Sequence, residues 1–509
     1  MARFVGVLAV LLASVSALAD PVQPRPNIVY ILCDDLGFGD VHYLNPQRGK
    51  IPTPNMDQIG KDGMAFLDCH ATSSVCTPSR YSILTGRYSW RTHLQAGVLN
   101  GNSPPLIAPG RLTVAELLKD HGYHTVAFGK WHLGLKTAAD GKRFTDPMTD
   151  SPINHGFEHF FGISASLDMP PFDFIEDDHW TEAPTTTKKW IRTGPAAADF
   201  EAVNVLPTLT KKAIEYINQH SDEAKAGKPF FVYLALTSPH TPIVPTDAFK
   251  GKSGLGNYGD FVMETDWEVG QVVAALDAAG LRQNTLLIFT SDNGCSPAAG
   301  IPALNALGHY PSAQFRGYKS DIWDGGHRIP FLVRWPGVIK PGSTTEQLAS
   351  LGDLIATVAD MLGVKLPTDA GEDSVSMLPA LLGTATTPLR ESVVHHSIEG
   401  FFAIRDKNWK LELCPGSGGW GLPHNDQAAA EGLPPIQLYD LQSDIGEKNN
   451  VEAQHPDVVA RLTAMLDKYI ADGRSTPGPL EKNDATIVVM KKFAVSKKPV
   501  APNGEPPGD

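Results

Sequence analysis

The sequence predicts an α/β protein in which a large mixed, mostly parallel sheet is sandwiched by helices, with a smaller α+β subdomain at the C-terminus. Three observations point to it. Short apolar runs rich in β-branched residues, 27–32 (NIVYIL), 230–236 (FFVYLAL) and 285–290 (TLLIFT), read as strands buried on both faces. Segments with apolar residues at helical spacing separate these runs, and the helices at 112–122 and 263–280 each stop at a glycine. Past 362 the pattern changes to short strands and turns, closed by one more helix through 458–470.

The chain has 509 residues, a formal net charge of -13 and 42% hydrophobic residues, which fits a large folded domain plus a smaller one and makes a poor nucleic-acid binder. Residues 1–19 carry Arg3, an apolar run from Phe4 and a closing Ala17-Leu18-Ala19, the layout of a secretory signal peptide cut before Asp20. No later segment approaches ~20 apolar residues, so an exported protein without a membrane span is expected, periplasmic or secreted. The main α/β domain is expected over 20–380, the subdomain over 381–475 and a loose, proline- and lysine-rich tail over 476–509. The five cysteines (Cys33, Cys69, Cys76, Cys295, Cys414) are too few for a disulfide framework and leave one or two bridges, or none, open.

Along the chain, the first strand runs into Asp34 and Asp35, two adjacent carboxylates that a hard cation such as Ca²⁺ or Mg²⁺ would neutralise; a helix cap with a solvated turn is the alternative. Segment 76–80, CTPSR, opens a helix, so the positive helix end and Arg80 are expected to face Cys76 and favour an anion there. A structural cysteine is the simpler alternative. A strand at 125–128 leads into GKWHLG, where Lys130 and His132, two apart in extended chain, would share a face and bind an anion, unless they form an ordinary surface pair. The weakly patterned stretch 136–200 is expected to be an insertion facing the substrate, and the glycine- and proline-rich 415–435 a second part of the pocket rim. The strand at 230–236 delivers His240 between two prolines, and that at 285–290 delivers Asp292 and Asn293, further hard oxygen ligands. Every candidate residue follows a strand end or opens a helix, the edge where ligands bind in open α/β sheets.

Six segments spread from 27 to 330 resemble, in order, the motifs of the type I sulfatases. They include RPNIVYILCDDLGFGD, the C-x-P-x-R signature at CTPSR, GKWHLG, and the stretch from Arg316 to Pro330, where Asp324 stands in place of the usual Glu. The resemblance implies an alkaline-phosphatase-like fold, and it implies that a maturation enzyme oxidises Cys76 to formylglycine. Asp34, Asp35, Asp292 and Asn293 then resemble the ligands of a divalent cation, usually Ca²⁺ with Mg²⁺ the second choice, which modified Cys76 also touches. By the same resemblance Arg80 and Lys130 hold the formylglycine hydrate, Lys130, Lys319 and His240 bind substrate, and His132 takes a proton when the intermediate breaks down. The expected function is exported hydrolysis of sulfate esters of polysaccharides or oligosaccharides. The alternatives are an arylsulfatase for small aryl sulfates, a phosphate or phosphonate ester hydrolase of the same superfamily, and a non-catalytic carbohydrate-binding protein.

Overall fold

The structure, a computed structural model, describes residues 25–139 and 142–491. The expected signal peptide and the end of the tail beyond 491 lie outside the described residues. Ten strands form the main sheet: β1 (Asn27–Asp34), β2 (Met64–Phe66), β3 (His124–Lys130), β4 (His159–Ile163), β5 (Ile175–Glu176), β6 (His179–Trp180), β7 (Phe230–Pro239), β8 (Thr285–Ser291), β9 (Phe331–Arg334) and β10 (Ser343–Thr345). Their order is β10-β2-β9-β8-β1-β7-β3-β4-β5-β6. The central strands β8, β1, β7, β3 and β4 are mutually parallel, and antiparallel pairs occur only toward the two edges.

Alternation along β1 explains the three layers. Ile28, Tyr30 and Leu32 enter one apolar core with Ile83, Leu84, Leu117 and Ile355, while Val29, Ile31 and Cys33 enter the other with Met56, Leu206, Phe261 and Leu276. Helices Cys76–Thr85, Val114–Asp120 and Leu354–Leu362 therefore cover one face, and Pro54–Asp62, Ala202–Gln219 and Gly256–Ala278 the other. On the last of these the residues at helical spacing, Met263, Trp267, Gly270, Val273 and Leu276, do not make up the buried face. Trp267 is exposed, and the buried face runs through Tyr258, Phe261, Val262, Val269, Val272 and Leu276, because buried acids such as Asp266 and Glu268 interrupt the apolar pattern that sequence spacing relies on.

The C-terminal strands Ser392–His396, Phe402–Asp406, Trp409–Glu412 and Gln437–Asp440 form an antiparallel sheet, with helix Pro456–Ala471 burying Val458, Leu462 and Leu466 against it. This sheet is joined to the main domain by buried charge. The Lys410 ammonium lies 2.9 Å from Asp324, 2.6 Å from Glu447 and 3.1 Å from Glu412, and all four side chains are fully buried. Next to it His70, His327 and His395 pack together, the last two stacked 3.8 Å apart, and burial holds all three imidazoles below their usual pKa. Asp324 thus serves this junction. All five cysteines are buried and free, so none of the bridges left open by the sequence is present. The described part of the tail has no helix or strand, yet Asp484 pairs with Arg87 and Asn483 accepts from Arg91, while Ile487 and Val489 pack on the C-terminal core.

Candidate active site

Four adjacent parallel strands end together and set the site. Moving across β8, β1, β7 and β3, their C-terminal ends deliver Asp292 and Asn293, then Asp34 and Asp35, then His240, then Lys130. Backbone hydrogen bonds fix the first two pairs against each other: the Asp35 amide donates to Asp292 Oδ1 at 3.2 Å and the Leu36 amide to Ser291 Oγ at 3.0 Å. Asp35 has a positive φ of 69°, as do His132 and Ser320 (56° and 83°), so three non-glycine residues in or beside the site hold left-handed backbone. Gly294 allows the loop after β8 to meet the motif at 325–326, since a Cβ there would lie 1.9 Å from the Gly325 carbonyl oxygen.

Cys76 is the first residue of its helix, preceded by the extended Val75, and all ten residues of that helix are buried. Burial pushes its thiol pKa up despite the lysine charges of Lys130 and Lys319, so unmodified Cys76 would be a protonated, weak nucleophile. Arg80 reaches the strand ends, donating to Asp292 Oδ2 at 2.7 and 3.0 Å and to the Lys130 carbonyl oxygen at 3.0 Å.

The carboxylates and cations interleave. Lys130 Nζ donates to Asp34 Oδ2 at 2.7 Å, Lys319 Nζ to Asp35 at 2.8 Å, and Asn293 Nδ2 to Asp35 Oδ1 at 2.8 Å. Burial would raise the Asp34 pKa, but Lys130, His240, Arg80 and Lys319 outweigh it and hold that carboxyl well below the usual range. Asp292 goes the other way, pushed up by burial and by the charge of Asp34. Two oxygens are left over: Asp34 Oδ1 and Asn293 Oδ1 are buried and have no hydrogen-bond partner. Unpartnered buried oxygens are costly, and together with Asp35 and Asp292 they form a hard, oxygen-only donor set that fits a divalent cation. Asp34 and Asp292 also group with the Cys76 sulfur, their ligand atoms all within 4.8 Å of one another.

The structure brings Cys76, His240 and Lys319 to the wall of one pocket of about 600 Å³. His240 Nδ1 lies 2.7 Å from the Thr241 carbonyl oxygen and its Nε2 3.7 Å from Asp35, so the ring is held with Nε2 toward the carboxylate cluster. Extended chain ends with β3 at Lys130, so strand alternation does not fix where His132 lies relative to it; the left-handed His132 puts Nε2 2.6 Å from the Leu99 carbonyl oxygen. With that nitrogen donating, His132 Nδ1 carries a free lone pair, is buried without a partner, and belongs to an imidazole whose pKa burial, Lys130 and Arg80 push down.

Three pocket residues escaped the sequence reading. Asp168 and Arg192 form an ion pair that also lines the pocket, with Asp168 Oδ1 3.9 Å from His240 Nδ1 and without a hydrogen bond, and Trp420 stands with its ring centroid 6.0 Å from Lys319 Nζ. The segments that carry them, 136–200 and 415–435, were legible as pocket rim, but no motif marked the residues. The only signal was a lone acid, a lone arginine and a tryptophan in irregular chain.

Comparisons with known proteins identify the family. The Sulfatase family model matches residues 26–364. An N-acetylgalactosamine-6-O-sulfatase of Bacteroides thetaiotaomicron is 36% identical over 87% of this chain and 93% of its own. Human arylsulfatase A is 34% identical, with 92% of each chain covered. A solved structure from work on glycosaminoglycan metabolism by Bacteroides thetaiotaomicron superposes with a TM-score of 0.78 at 34% identity, covering 88% of this chain and 99% of that one. The chain belongs to the sulfatase family, and its catalytic class is that of the sulfuric ester hydrolases.

Proposed function

We propose that the protein is an exported sulfatase that removes sulfate from a sulfated carbohydrate, with Cys76 matured to formylglycine and a divalent cation, Ca²⁺ in preference to Mg²⁺, held by Asp34, Asp35, Asp292 and Asn293. The observation that carries this reading is the pair of oxygens without a hydrogen bond, Asp34 Oδ1, 3.6 Å from the Arg80 guanidinium, and Asn293 Oδ1, buried beside a Cys76 whose thiol is held protonated. A hard cation would satisfy both oxygens, and oxidation of Cys76 would replace a weak nucleophile. The aldehyde hydrate would supply one hydroxyl for in-line attack on sulfur and a second whose loss of a proton lets sulfate leave, while the cation would add positive charge at those oxygens.

The chain's own residues do the rest. Arg80 and Lys130 offset the carboxylate charge around position 76 and orient the hydrate. Lys319 and His240, both on the pocket wall, bind the sulfate group, and His240 Nε2 gives a proton to the departing sugar oxygen. His132 Nδ1, free and neutral, accepts the proton when sulfate is released. Three carboxylates against one divalent cation leave about one negative charge, which Arg80, Lys130 and Lys319 outweigh, so the pocket attracts an anion although the chain as a whole is acidic.

The Asp168–Arg192 pair and Trp420 offer a sugar what an aryl ring does not need, charged polar groups for its hydroxyls and a flat face for stacking. Relatives named for N-acetylgalactosamine 6-sulfate favour that sugar. No helix of the described residues is long and apolar enough to cross a membrane. A sulfate-release assay comparing N-acetylgalactosamine 6-sulfate, an aryl sulfate and an aryl phosphate tests the reading. Sulfate release from the sugar at a kcat/KM at least equal to that for the aryl ester is expected. Faster phosphate release would assign the alternative superfamily activity.

A further inference from the structure

We propose that a second cleft, adjoining the catalytic pocket, binds the sugar residues next to the sulfated one, so that the natural substrate is a glycan chain and not an isolated sulfated sugar. The proposal deepens the sulfated-carbohydrate reading and rests on it. The cleft has a volume of about 1030 Å³, larger than the 600 Å³ of the pocket, and the two share a wall. Pro297 lines both. Neighbouring residues along that wall face opposite ways: Lys319 and Trp420 line the catalytic pocket, while Tyr318 and Gly421 line the cleft. The Tyr318 hydroxyl ties the wall together by donating to the Trp420 carbonyl oxygen at 3.2 Å. A sugar whose sulfate sits at Lys319 thus has its neighbours led over Pro297 into the cleft.

The lining has the chemistry of a site for an anionic glycan. Tyr310 and Tyr318 are half-buried aromatic rings that can stack on the apolar faces of sugars. The Arg48 guanidinium carbon lies over the Tyr310 ring, 3.6 Å from its centroid, and the group makes no hydrogen bond or ion pair among the described residues. Held by the ring instead of by an acid, it remains available for a sulfate or carboxylate of the chain. Exposed Lys448 adds a second cation on the rim. The acids nearby are occupied: Asp321 accepts from the Gly421 and Tyr318 amides at 2.7 and 3.1 Å, and Asp444 from the Lys448 and Asn449 amides at 2.7 Å. In a protein of net charge -13 an open cation on an aromatic floor is a local exception.

The test uses the full-length protein and two probes, the methyl glycoside of N-acetylgalactosamine 6-sulfate and a uronate-containing trisaccharide with the same sulfated sugar at its non-reducing end. Calorimetry on Cys76→Ser protein should show the trisaccharide binding about tenfold tighter or more, and Arg48→Ala and Tyr310→Ala should each remove most of that advantage while leaving the monosaccharide affinity unchanged. In turnover by matured enzyme the same two substitutions should raise KM for the trisaccharide and leave kcat/KM for the monosaccharide as it was. Equal affinity for both probes, or an advantage that survives both substitutions, overturns the cleft. A trisaccharide that binds in this way but is never desulfated leaves the cleft standing and overturns the hydrolytic reading.

Discussion

Replacing His240 by alanine separates two roles that the geometry alone allows. The ring lines the pocket with Nε2 3.7 Å from Asp35 and Nδ1 anchored 2.7 Å from the Thr241 carbonyl oxygen, so Nε2 lies between the carboxylate cluster and the pocket. General acid assistance is worth ~10² to 10⁴ in rate, or about 2.7 to 5.4 kcal/mol of barrier. That gain depends on the leaving oxygen. A sugar alkoxide is strongly basic and needs the proton, whereas the phenolate of an activated aryl sulfate leaves without one. Simple hydrogen bonding to sulfate, worth ~1.5 to 3 kcal/mol, would be lost equally for both substrates. His240→Ala should therefore slow single-turnover desulfation of a sugar sulfate by ~10² or more beyond any loss on an activated aryl sulfate. Pre-steady-state rates on the two substrates make the comparison. Equal losses would refute the acid role and leave His240 as a sulfate ligand, with Lys319 the better candidate for the proton.

Three further outcomes are expected. Removing divalent cations with a chelator should abolish activity, and adding Ca²⁺ at ~100 times its dissociation constant should stabilise the apoprotein by about 2.7 kcal/mol; Asp35→Ala should lose that shift in thermal midpoint, and a midpoint indifferent to Ca²⁺ would remove the cation from the account. Lys410→Met leaves Asp324, Glu412 and Glu447 buried without their shared cation, so it should destabilise the fold by about 3–5 kcal/mol in denaturant unfolding, and a change below about 1 kcal/mol would show that the junction relaxes. Burial raises the Glu268 carboxyl from 4.5 to about 7. Below the unfolded pKa both states are protonated; as pH rises toward the folded pKa only the unfolded chain ionises, and stability falls. Glu268→Gln should then stabilise the fold at pH 8 by up to about 3 kcal/mol, read as a higher thermal midpoint, and leave the midpoint nearly unchanged near pH 4.5.

The sequence displayed the centre of this molecule more clearly than its rim, for physical reasons. Strands buried on both faces must be continuously apolar, so β1, β7 and β8 stand out, and the residues just past their C-terminal ends have to lie at the same sheet edge once the strands are parallel. That logic is enough to bring Asp34, Asp35, His240, Asp292 and Asn293 together from sequence alone. It does not extend to His132, because alternation holds only while the chain stays extended and a left-handed residue ends it. Spacing failed on helix Gly256–Ala278, where buried acids occupy positions that it reserves for apolar side chains. Asp168 and Trp420 sit on loops and Arg192 opens a strand of a separate two-stranded sheet, all placed by tertiary contacts, and the pairing of Asp324 with Lys410 spans 86 residues of chain, which no local pattern encodes.

The proposed mechanism requires residue 76 to act as an aldehyde and not as a thiol. Its most direct test is mass analysis of the peptide containing position 76, taken from a preparation of known specific activity and treated with a carbonyl-reactive probe. The fraction carrying the aldehyde is predicted to rise in proportion to sulfate-releasing activity, and Cys76→Ser protein, without the aldehyde, to bind substrate but not turn it over. Full activity in a preparation whose position 76 is entirely unmodified cysteine would contradict the claim.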